Sequence, residues 1–460
     1  MNSVPLIQLT KQHPFLLGTT VNHDIYEQYK NQLLKLAHEA GFLDVQFEIS
    51  RMDIDIENST ANVKWLINTG EVYHIGEVEL QGSNLSSTFL QRYVFIKPDD
   101  VYQQENIIKS QQLLNRSGYF NLVTIEQIIN QQQHKVNITI ALADVEKYEF
   151  KTTFGYGTDT GGKLGISWLD RRVNDSGHNY LISLDVSNIE TITSIQYKIP
   201  LDKEKSEWLN RLSNQIIDDK LALSNVTKFD SRLLNHIDDN WSSQWALTLA
   251  VEDHSSNDNI VSNLKYLVPS WQTNYNSVTD PFSAQTGWRW QNEIHFSTQQ
   301  ISNPDIDFVQ IEQKVKSIWA LTTNIRLLFR GHAGYTLMDD EQFNTSMPTN
   351  YRYFTGGDVS VRGYAYQSLA PKDIDGEFLG GKHLLVSSLE VDWQFTENWR
   401  WAIFTDQGNA FNDWQHKDIH KSVGTGIRWV TPVGSIRFDL AKALDGPEDL
   451  IWHITIGPDL

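Results

Sequence analysis

The stretch LLVSSLEVDWQF, residues 384–395, alternates apolar and polar side chains with a period of two. That period is typical of a β-strand, in which successive side chains point to opposite faces. One face of the predicted strand is apolar and aromatic and the other is polar and charged; the two sets are Leu385, Leu389, Val391, Trp393 and Phe395, and Ser388, Glu390, Asp392 and Gln394.

The same alternation continues on both sides of this stretch. From Glu149 to the C-terminus, helical periodicity is absent, and segments such as GWRWQNEIHFS (287–297) and SIRFDLA (435–441) repeat the two-residue pattern between Gly, Asn, Asp and Pro. A soluble sandwich and a membrane barrel both produce this pattern, because each has one apolar face. Sixteen strand-like segments fit in residues 149–460. Their even number, with room for tilted strands of about 9–11 residues, favours a transmembrane β-barrel of 16 antiparallel strands.

Composition narrows the possible functions. The net charge of −19 argues against a nucleic-acid partner, and the absence of Cys excludes disulfides and thiolate metal sites. No leader peptide is readable in MNSVPLIQLTKQHPF, so we expect a mature or truncated form of an exported chain, or else a cytosolic protein. The 15 Trp and 17 Tyr residues would suit aromatic girdles at two membrane interfaces or a large soluble β-domain.

Before about residue 148 the chain mixes helix and strand. Residues 22–42 predict an amphipathic helix with Asn22 as its N-cap and Gly41 just after its end. The succession of helix, glycine, aromatic residue and strand returns with Gly118 in the place of Gly41. This repeat predicts two α+β modules, residues 1–73 and 74–148, each of β-α-α-β-β order. They could act as structural spacers, or an exposed sheet edge could accept an extended peptide.

Motifs of catalysis and cofactor binding are missing. The glycines of GYGTDTGGKLG (155–165) have neither the spacing of a phosphate loop nor a helix after them, and VEDHSSNDN (251–259) lacks the spacing of a calcium loop. We therefore predict no enzyme activity, no cofactor and no metal. A hydrolase with dispersed Ser, His and Asp remains an alternative, because such triads need not be adjacent in sequence.

A glycine-rich loop gives the family resemblance. The VRGY of FTGGDVSVRGYAYQSLAPK (354–372) precedes the twelfth of the sixteen strands, and GTGIRWVTPVGSIRFDLA (424–441) and ITIGPDL (454–460) follow. Together these motifs resemble the outer-membrane insertase and transporter superfamily that includes BamA and TamA, and within it the TamA-like branch. That superfamily joins polypeptide-transport-associated (POTRA) modules to a 16-stranded barrel. TamA-like proteins have three modules and a signal peptide, so we expect the first module to be absent from this chain.

The resemblance implies a role for the loop arginine. In this superfamily the long loop, here about residues 338–382, folds into the barrel, and its arginine pairs with an acidic residue on the wall. Arg362, Gly363 and Tyr364 would form the loop motif, with Asp406 of FTDQG as partner and Glu390 as a second candidate. Strand parity agrees, because Asp406 shares the face of Arg400 and lies opposite Trp401 and Ile403, which places it in the lumen.

The first and last strands suggest how the barrel would work. Gly155 and Gly157 interrupt the first strand, while Gly457 and Pro458 lie in the last, and these residue types weaken a strand ladder. The resemblance implies a lateral gate at this join; ordinary fraying of end strands is the alternative.

The resemblance also implies a cellular setting and partners. The chain would be an assembly factor in the outer membrane of a Gram-negative bacterium, with its modules in the periplasm. Its partners would be an inner-membrane-anchored TamB-like protein, unfolded outer-membrane clients such as autotransporters, and outer-membrane lipid. The alternatives are a two-partner-secretion transporter and a passive pore.

Overall fold

The computed structural model describes residues 18–201, 206–218, 223–255, 261–278, 284–302, 306–372, 376, 378–431, 434–446 and 449–457. The chain divides between Lys147 and Tyr148 into two compact units, with Asn174–Gly177 belonging to the first. In the described part of the chain, no helix is long and apolar enough to cross a membrane.

The N-terminal unit begins with a helix and a hairpin: α1 (His23–Glu39), β1 (Gln46–Asp55) and β2 (Thr60–Asn68), the two strands pairing antiparallel. The Asn22 side chain caps α1 by accepting from the Asp24 backbone N–H, and Gly41 ends it with a φ of +94°. A preceding strand and helix of the predicted β-α-α-β-β order would fall in residues 1–17, outside the described residues. The boundaries 1–73 of this module therefore remain a prediction.

The second module has the predicted β-α-α-β-β order: β3 (His74–Gln81), α2 (Ser87–Leu90), α3 (Gln104–Arg116), β4 (Phe120–Asn130) and β5 (Lys135–Asp144). Its sheet runs β3-β5-β4, with β5 in the centre, parallel to β3 and antiparallel to β4. Apolar side chains from α2, α3 and all three strands form one buried core, which includes Ile75, Phe89, Ile107, Leu114, Val123, Val136, Ile138 and Ile140. Gly118 ends α3 with a positive φ, as Gly41 ends α1.

The C-terminal unit is a closed barrel of sixteen antiparallel strands, which confirms the predicted fold class. The strands are β6 (Tyr148–Gly157), β7 (Gly161–Asp170), β8 (Asn179–Val186), β9 (Glu190–Pro200), β10 (Ser206–Asp218), β11 (Leu223–His236), β12 (Trp241–Ser255), β13 (Val261–Asn276), β14 (Gly287–Ser297), β15 (Phe308–Ala320), β16 (Ile325–Leu337), β17 (His383–Thr396), β18 (Trp399–Phe411), β19 (His420–Thr431), β20 (Gly434–Ala443) and β21 (Leu450–Gly457).

The two faces of the barrel wall have the polarity that the alternation predicts. On β17, Leu389 and Trp393 are 45% and 48% exposed, whereas Ser388 and Asp392, which directly precede them, are 6% and 1% exposed. The apolar residues therefore face outward, and the polar ones line the lumen, where they find polar partners.

One long connection enters the lumen. It runs over residues 338–382 between β16 and β17 and begins with a short helix, α4 (Asp340–Ser346). The structure thus places a 45-residue loop where the sequence predicts an inward-folded one. We call residues 338–382 the lumen loop.

A charged side chain on the outward face should destabilise the barrel by an amount that depends on its depth in the membrane. We expect Leu389→Arg, in the middle of β17, to lower the free energy of unfolding in lipid vesicles by about 2–4 kcal/mol if the middle of the strand lies at the bilayer midplane. Thr396→Arg, at the exposed end of the same strand, should cost about 0–1 kcal/mol, as charges near the interface do. Equal costs at both positions would contradict the membrane-spanning orientation of the strand.

Candidate functional site in the lumen loop

Arg362 is the centre of the contacts between the lumen loop and the barrel wall. Its side chain is 7% exposed, and it holds the Asp406 carboxylate through two parallel bonds, Nε to Oδ2 at 2.7 Å and Nη2 to Oδ1 at 2.9 Å. The Arg362 backbone N–H also donates to Asp406 Oδ2 at 3.1 Å. This bidentate geometry is the strong form of an arginine–carboxylate pair.

The remaining guanidinium donors reach two further strands, β17 and β20. Nη1 donates to Glu390 Oε2 at 3.0 Å and to Asp439 Oδ2 at 3.1 Å, while Nη2 also donates to Ser388 Oγ at 3.3 Å. All five guanidinium N–H groups of Arg362 therefore have acceptors, and they connect the loop to β17, β18 and β20.

The environment of Arg362 maintains its positive charge. Burial alone would lower the pKa of Arg362, but Asp406, Glu390 and Asp439 overcome this effect and raise the pKa above its ordinary value. The guanidinium carbon also lies 3.3 Å from the centre of the Phe404 ring, whose face attracts a cation. The loop cation is therefore bound by charge on its edges and by an aromatic ring on one face.

A second arginine completes the cluster. Arg428 on β19 donates from Nη2 to Glu390 Oε1 at 2.9 Å and from Nη1 to Asp439 Oδ1 at 2.5 Å. Gly426 leaves room for this pair, because a Cβ there would lie 2.0 Å from Asp439 Oδ1 and 2.7 Å from Arg428 Nη1. Two arginines thus face three carboxylates in the buried cluster, which we call the lumen cluster: Arg362, Arg428, Glu390, Asp406 and Asp439.

The sequence predicted part of the lumen cluster. Arg362, Asp406 and Glu390 are brought together as the resemblance implies, whereas Asp439, Arg428 and Phe404 were missed. The alternation of SIRFDLA (435–441) predicts that Asp439 lies on the polar face of its strand. Strand parity alone, however, does not show which wall residues lie at the same level along the barrel axis as the loop arginine.

Gly363 and Tyr364 make further contacts between the lumen loop and the wall, at the last strand and at the connection before it. Gly363 has a φ of +87°, and its N–H donates to Nε2 of His453 on the last strand, β21, at 3.0 Å. A Cβ at Gly363 would lie 3.1 Å from backbone atoms of the β20 wall, so only glycine fits without a shift. The Tyr364 hydroxyl donates to Asp445 Oδ1, between β20 and β21, at 2.5 Å.

The lumen loop also contacts the other side of the barrel join. The Asp358 N–H donates to Oδ2 of Asp159, in the turn between β6 and β7, at 2.6 Å. The loop therefore touches β21 through Gly363 and the hairpin of the first strand through Asp358.

The join between the first and last strands is short. Among the described residues, the ladder of β21 with β6 consists of one registered pair, Thr455 with Gly157, and the Thr158 N–H donates to Ile454 O at 3.3 Å beside it. In contrast, β6 pairs with β7 along its whole length. We call this short ladder the seam.

The four predicted gate residues have different positions. Gly157 lies in the seam, and Gly155 lies two residues earlier on the same strand, paired with Lys163 of β7. Gly457 pairs with Ser435 of β20 and, among the described residues, has no registered partner on β6. Pro458 lies outside the described residues.

A second contact surface holds the first half of the lumen loop against another part of the wall. Phe343 and Met347 pack in a buried apolar cluster with β11 to β13 residues such as Val226 and Val268. The fully buried Glu252 carboxylate on β12 accepts from the Thr349 N–H at 3.1 Å. The loop is thus fixed at two separate places, and the sequence indicated only the place around Arg362.

Arg352 stiffens this first half from within. Its guanidinium donates to the backbone oxygens of Met347, Leu379 and Phe343 at 3.0, 2.9 and 2.7 Å. These bonds join the start and the end of the loop. The lumen loop therefore contacts the wall as a folded unit with its own internal hydrogen bonds.

Two protein families match this chain, each over one of its parts. The Omp85 superfamily domain matches residues 146–458, and a POTRA family described as a surface antigen variable number repeat matches residues 73–143. The second module is therefore a POTRA module, as the resemblance implied.

Similar full-length proteins are outer membrane protein assembly factors. BamA of Nitratidesulfovibrio vulgaris is 23% identical over 440 residues, 88% of this chain and 53% of the relative, and BamA of Neorickettsia risticii is 20% identical over 441 residues, 87% of this chain and 56% of the relative. The chain thus spans about half the length of the curated relatives it matches.

Solved structures share the fold. BamA from Haemophilus ducreyi lacking POTRA domains 1–3 has a TM-score of 0.80 at 16% identity and covers 99% of this chain and 97% of its own. CdiB from Acinetobacter baumannii has a TM-score of 0.56 at 15% identity and covers 98% of this chain and 85% of its own. The Omp85 superfamily domain matches more than half of this chain, and the chain therefore belongs to the Omp85 superfamily.

Proposed function

We propose that this chain is an outer-membrane assembly factor that inserts or secretes β-barrel client proteins through the seam. It would reside in the outer membrane of a Gram-negative bacterium, with its POTRA module in the periplasm. The observation that carries the proposal is the one-pair seam between β6 and β21, contacted on both sides by the lumen loop. The sequence similarity to the BamA assembly factors supports it.

The mechanism follows from hydrogen-bonding capacity. Strand backbone that is unpaired in lipid leaves N–H and C=O groups unsatisfied, each at a cost of several kcal/mol. A short seam leaves such groups on the edges of β6 and β21 available, and an incoming client strand would pair with them. No covalent chemistry is needed, because the favourable free energy of insertion comes from the hydrogen bonds that the client strand makes at the opened edge.

The lumen loop would control this opening. Arg362 binds β17, β18 and β20, Gly363 binds β21, and Asp358 binds the β6–β7 turn. While these contacts persist, the lumen loop connects the strands on both sides of the seam and keeps their edges together. Their release would let the two edges separate.

Within the superfamily, we propose the TamA-like branch. The motifs around Val361–Tyr364 and the ending ITIGPDL (454–460) favour it. The partners would then be a TamB-like protein at the periplasmic modules and autotransporter clients. Co-purification with a TamB-like protein, compared with other assembly partners, would test this assignment.

Export of an unfolded polypeptide through the lumen, as in two-partner secretion, is the second candidate. The structural similarity to CdiB supports it. In this case the lumen loop would have to leave the barrel, because it lies in the lumen and is bound to the wall by its apolar cluster and by the lumen cluster. A cross-link that fixes residues 343–349 to the β11–β13 wall would abolish export. Insertion through the seam would tolerate it, because only the part of the loop around Arg362 has to be released.

The first prediction concerns Arg362→Ala. It leaves three carboxylates with one arginine in a buried cluster, so we expect the free energy of unfolding to fall by about 3–5 kcal/mol and client insertion to decrease strongly. Cleavage of the lumen loop by protease should increase. The matched control is Lys372→Ala, which removes an exposed cation from the same loop and should leave all three measurements unchanged. Normal insertion and an uncleaved loop in Arg362→Ala would contradict the proposal.

The second prediction uses the absence of native cysteines. Gly157→Cys with Thr455→Cys joins the one registered pair of the seam, and the disulfide should block client insertion until it is reduced. The control pair, Ser194→Cys with Ser213→Cys, links β9 to β10 at registered positions away from the seam and should not affect insertion. If the seam cross-link leaves insertion intact, clients do not pass through this join.

The third prediction concerns pH. Burial and the neighbouring Asp159 carboxylate raise the pKa of Asp358 to about 6, from an ordinary 3.8. The folded contact therefore holds a proton that the released loop loses, so its stability is greatest below about pH 3.8 and is lost as the pH rises through about 6. We expect protease to cleave the lumen loop more slowly near pH 5 than near pH 7.5.

Asp358→Asn provides the control for this pH dependence, because its amide does not titrate. The ratio of wild-type to Asp358→Asn cleavage rates, measured at each pH, removes the pH dependence of the protease itself. A ratio that stays constant between the two conditions would show that Asp358 does not titrate in this contact.

A further inference from the structure

A group of lumen side chains outside the lumen cluster has the composition of a metal site. Glu293 and His295 lie two residues apart on β14, so both face the lumen, and Glu312 is the registered partner of Glu293 on β15. One ligand atom from each of the three lies within 4.8 Å of the others. We propose that Glu293, His295 and Glu312 bind a divalent cation of the zinc class.

Electrostatics favours a cation at this place. Two glutamates directly opposite each other on neighbouring strands repel. Among the described residues, the ion-pair partner of Glu293 is His295, whose Nε2 lies 3.4 Å from Oε1 and is charged only when the imidazole is protonated. Glu312 is better compensated, since its Oε1 accepts from Lys314 Nζ at 2.7 Å and from His332 Nε2 at 2.6 Å.

The negative field of the two glutamates reaches the lumen loop. Burial raises the pKa of the Tyr351 hydroxyl, and the carboxylates of Asp230, Glu293 and Glu252 raise it further. Burial likewise raises the pKa of Tyr353, with Glu312 and Glu293 adding to the effect. A bound cation would oppose this field.

Free ligand capacity is present in the group. His295 Nδ1 is buried and has no hydrogen-bond partner among the described residues. Both of these contacts of Glu312 use Oε1, so Oε2 can serve as a metal ligand atom. A zinc ion bound at about 2.0–2.2 Å needs its ligand atoms somewhat closer together than 4.8 Å, so the side chains must move inward by about an ångström.

The ligand types select the metal. Imidazole with carboxylates suits Zn²⁺, whereas Ca²⁺ and Mg²⁺ prefer a shell of six or more oxygen ligands, or waters. The group has space for such an ion, because it lines a lumen cavity of about 520 Å³ that residues 350–354 of the loop also border. Lys314 is 45% exposed and can swing away when the metal displaces it from Glu312. This displacement makes a micromolar rather than nanomolar affinity the expected range.

The site would be coupled to the lumen loop. The His295 ring packs edge-to-face on Tyr351 of the loop at 5.3 Å between centroids, and His332, bonded to Glu312, packs on Tyr353 at 6.5 Å. Metal coordination fixes the orientation of the His295 ring, and it therefore fixes one face against which the loop packs. Bound zinc should slow release of the loop.

The test is a titration of the purified full chain in detergent micelles, after chelator treatment and dialysis, with ZnCl₂ by isothermal titration calorimetry. We expect one equivalent to bind, and Glu293→Gln, His295→Gln and Glu312→Gln each to weaken binding about tenfold or more. CaCl₂ should bind at least tenfold more weakly than ZnCl₂. A His416→Gln variant is the matched control, because His416 forms an exposed pair with Asp413 at 2.7 Å far along the chain from the proposed ligands, and its affinity should equal that of the wild type.

Two further measurements separate loss of ligands from loss of folding. The glutamine variants should keep the β-rich circular dichroism of the wild type, and Co²⁺ should give visible absorption of a tetrahedral site in the wild type but not in His295→Gln. Zinc should slow protease cleavage of the lumen loop in the wild type and have no effect in His295→Gln. Zinc affinity that is unchanged in folded His295→Gln and Glu312→Gln, or equal affinity for calcium, would overturn the proposal. These results do not depend on client insertion.

Discussion

Neutralisation of a buried guanidinium is the interaction on which the interior of this barrel depends. Arg362 projects from the lumen loop into a space closed to water, where an unpaired charge would cost several kcal/mol. The wall meets that requirement with acidic residues from β17, β18 and β20, while Arg428 offsets part of the excess negative charge. Because the carboxylates come from separate strands, the pairing fixes the position of the loop relative to that whole side of the wall.

The strength of this cluster contrasts with the weakness of the seam next to it. The strands that bind Arg362 are joined to their neighbours by long ladders, whereas the described residues of β6 and β21 share one registered pair. The loop spans this weak point, reaching His453 on one side and Asp159 on the other. A barrel that must open at one join without unfolding requires this combination, with most of the wall held firmly and one ladder left short.

The first half of the loop adds a second kind of contact. Its apolar cluster and the buried Glu252 hold it on the β11–β13 wall, and Arg352 joins its start and end. Release of Arg362 alone would therefore free the part of the loop near the seam while residues around 343–349 stay attached. In this arrangement the loop opens from the seam side, which keeps the displaced segment close to its binding site. The proposed metal ligands Glu293 and Glu312 line the same cavity as Tyr351 and Tyr353 of the loop.

The sequence by itself determined the number and polarity of the strands, the order of the second α+β module, and the position of the loop motif around Arg362, whereas the pairing of Arg362 with Asp406 was implied by the family resemblance. These features are local or periodic: a two-residue repeat assigns each side chain to a face, and a motif marks the loop. The sequence did not determine which residues of different strands lie at the same level along the barrel axis. That level depends on the stagger of each strand pair around the barrel. Only the tertiary structure therefore brought Asp439 and Arg428 into the lumen cluster, placed Glu252 under the loop, and reduced the seam to Gly157 and Thr455. Each of these depends on which residues of distant strands come to the same level when the sheet closes, and no single segment contains that information.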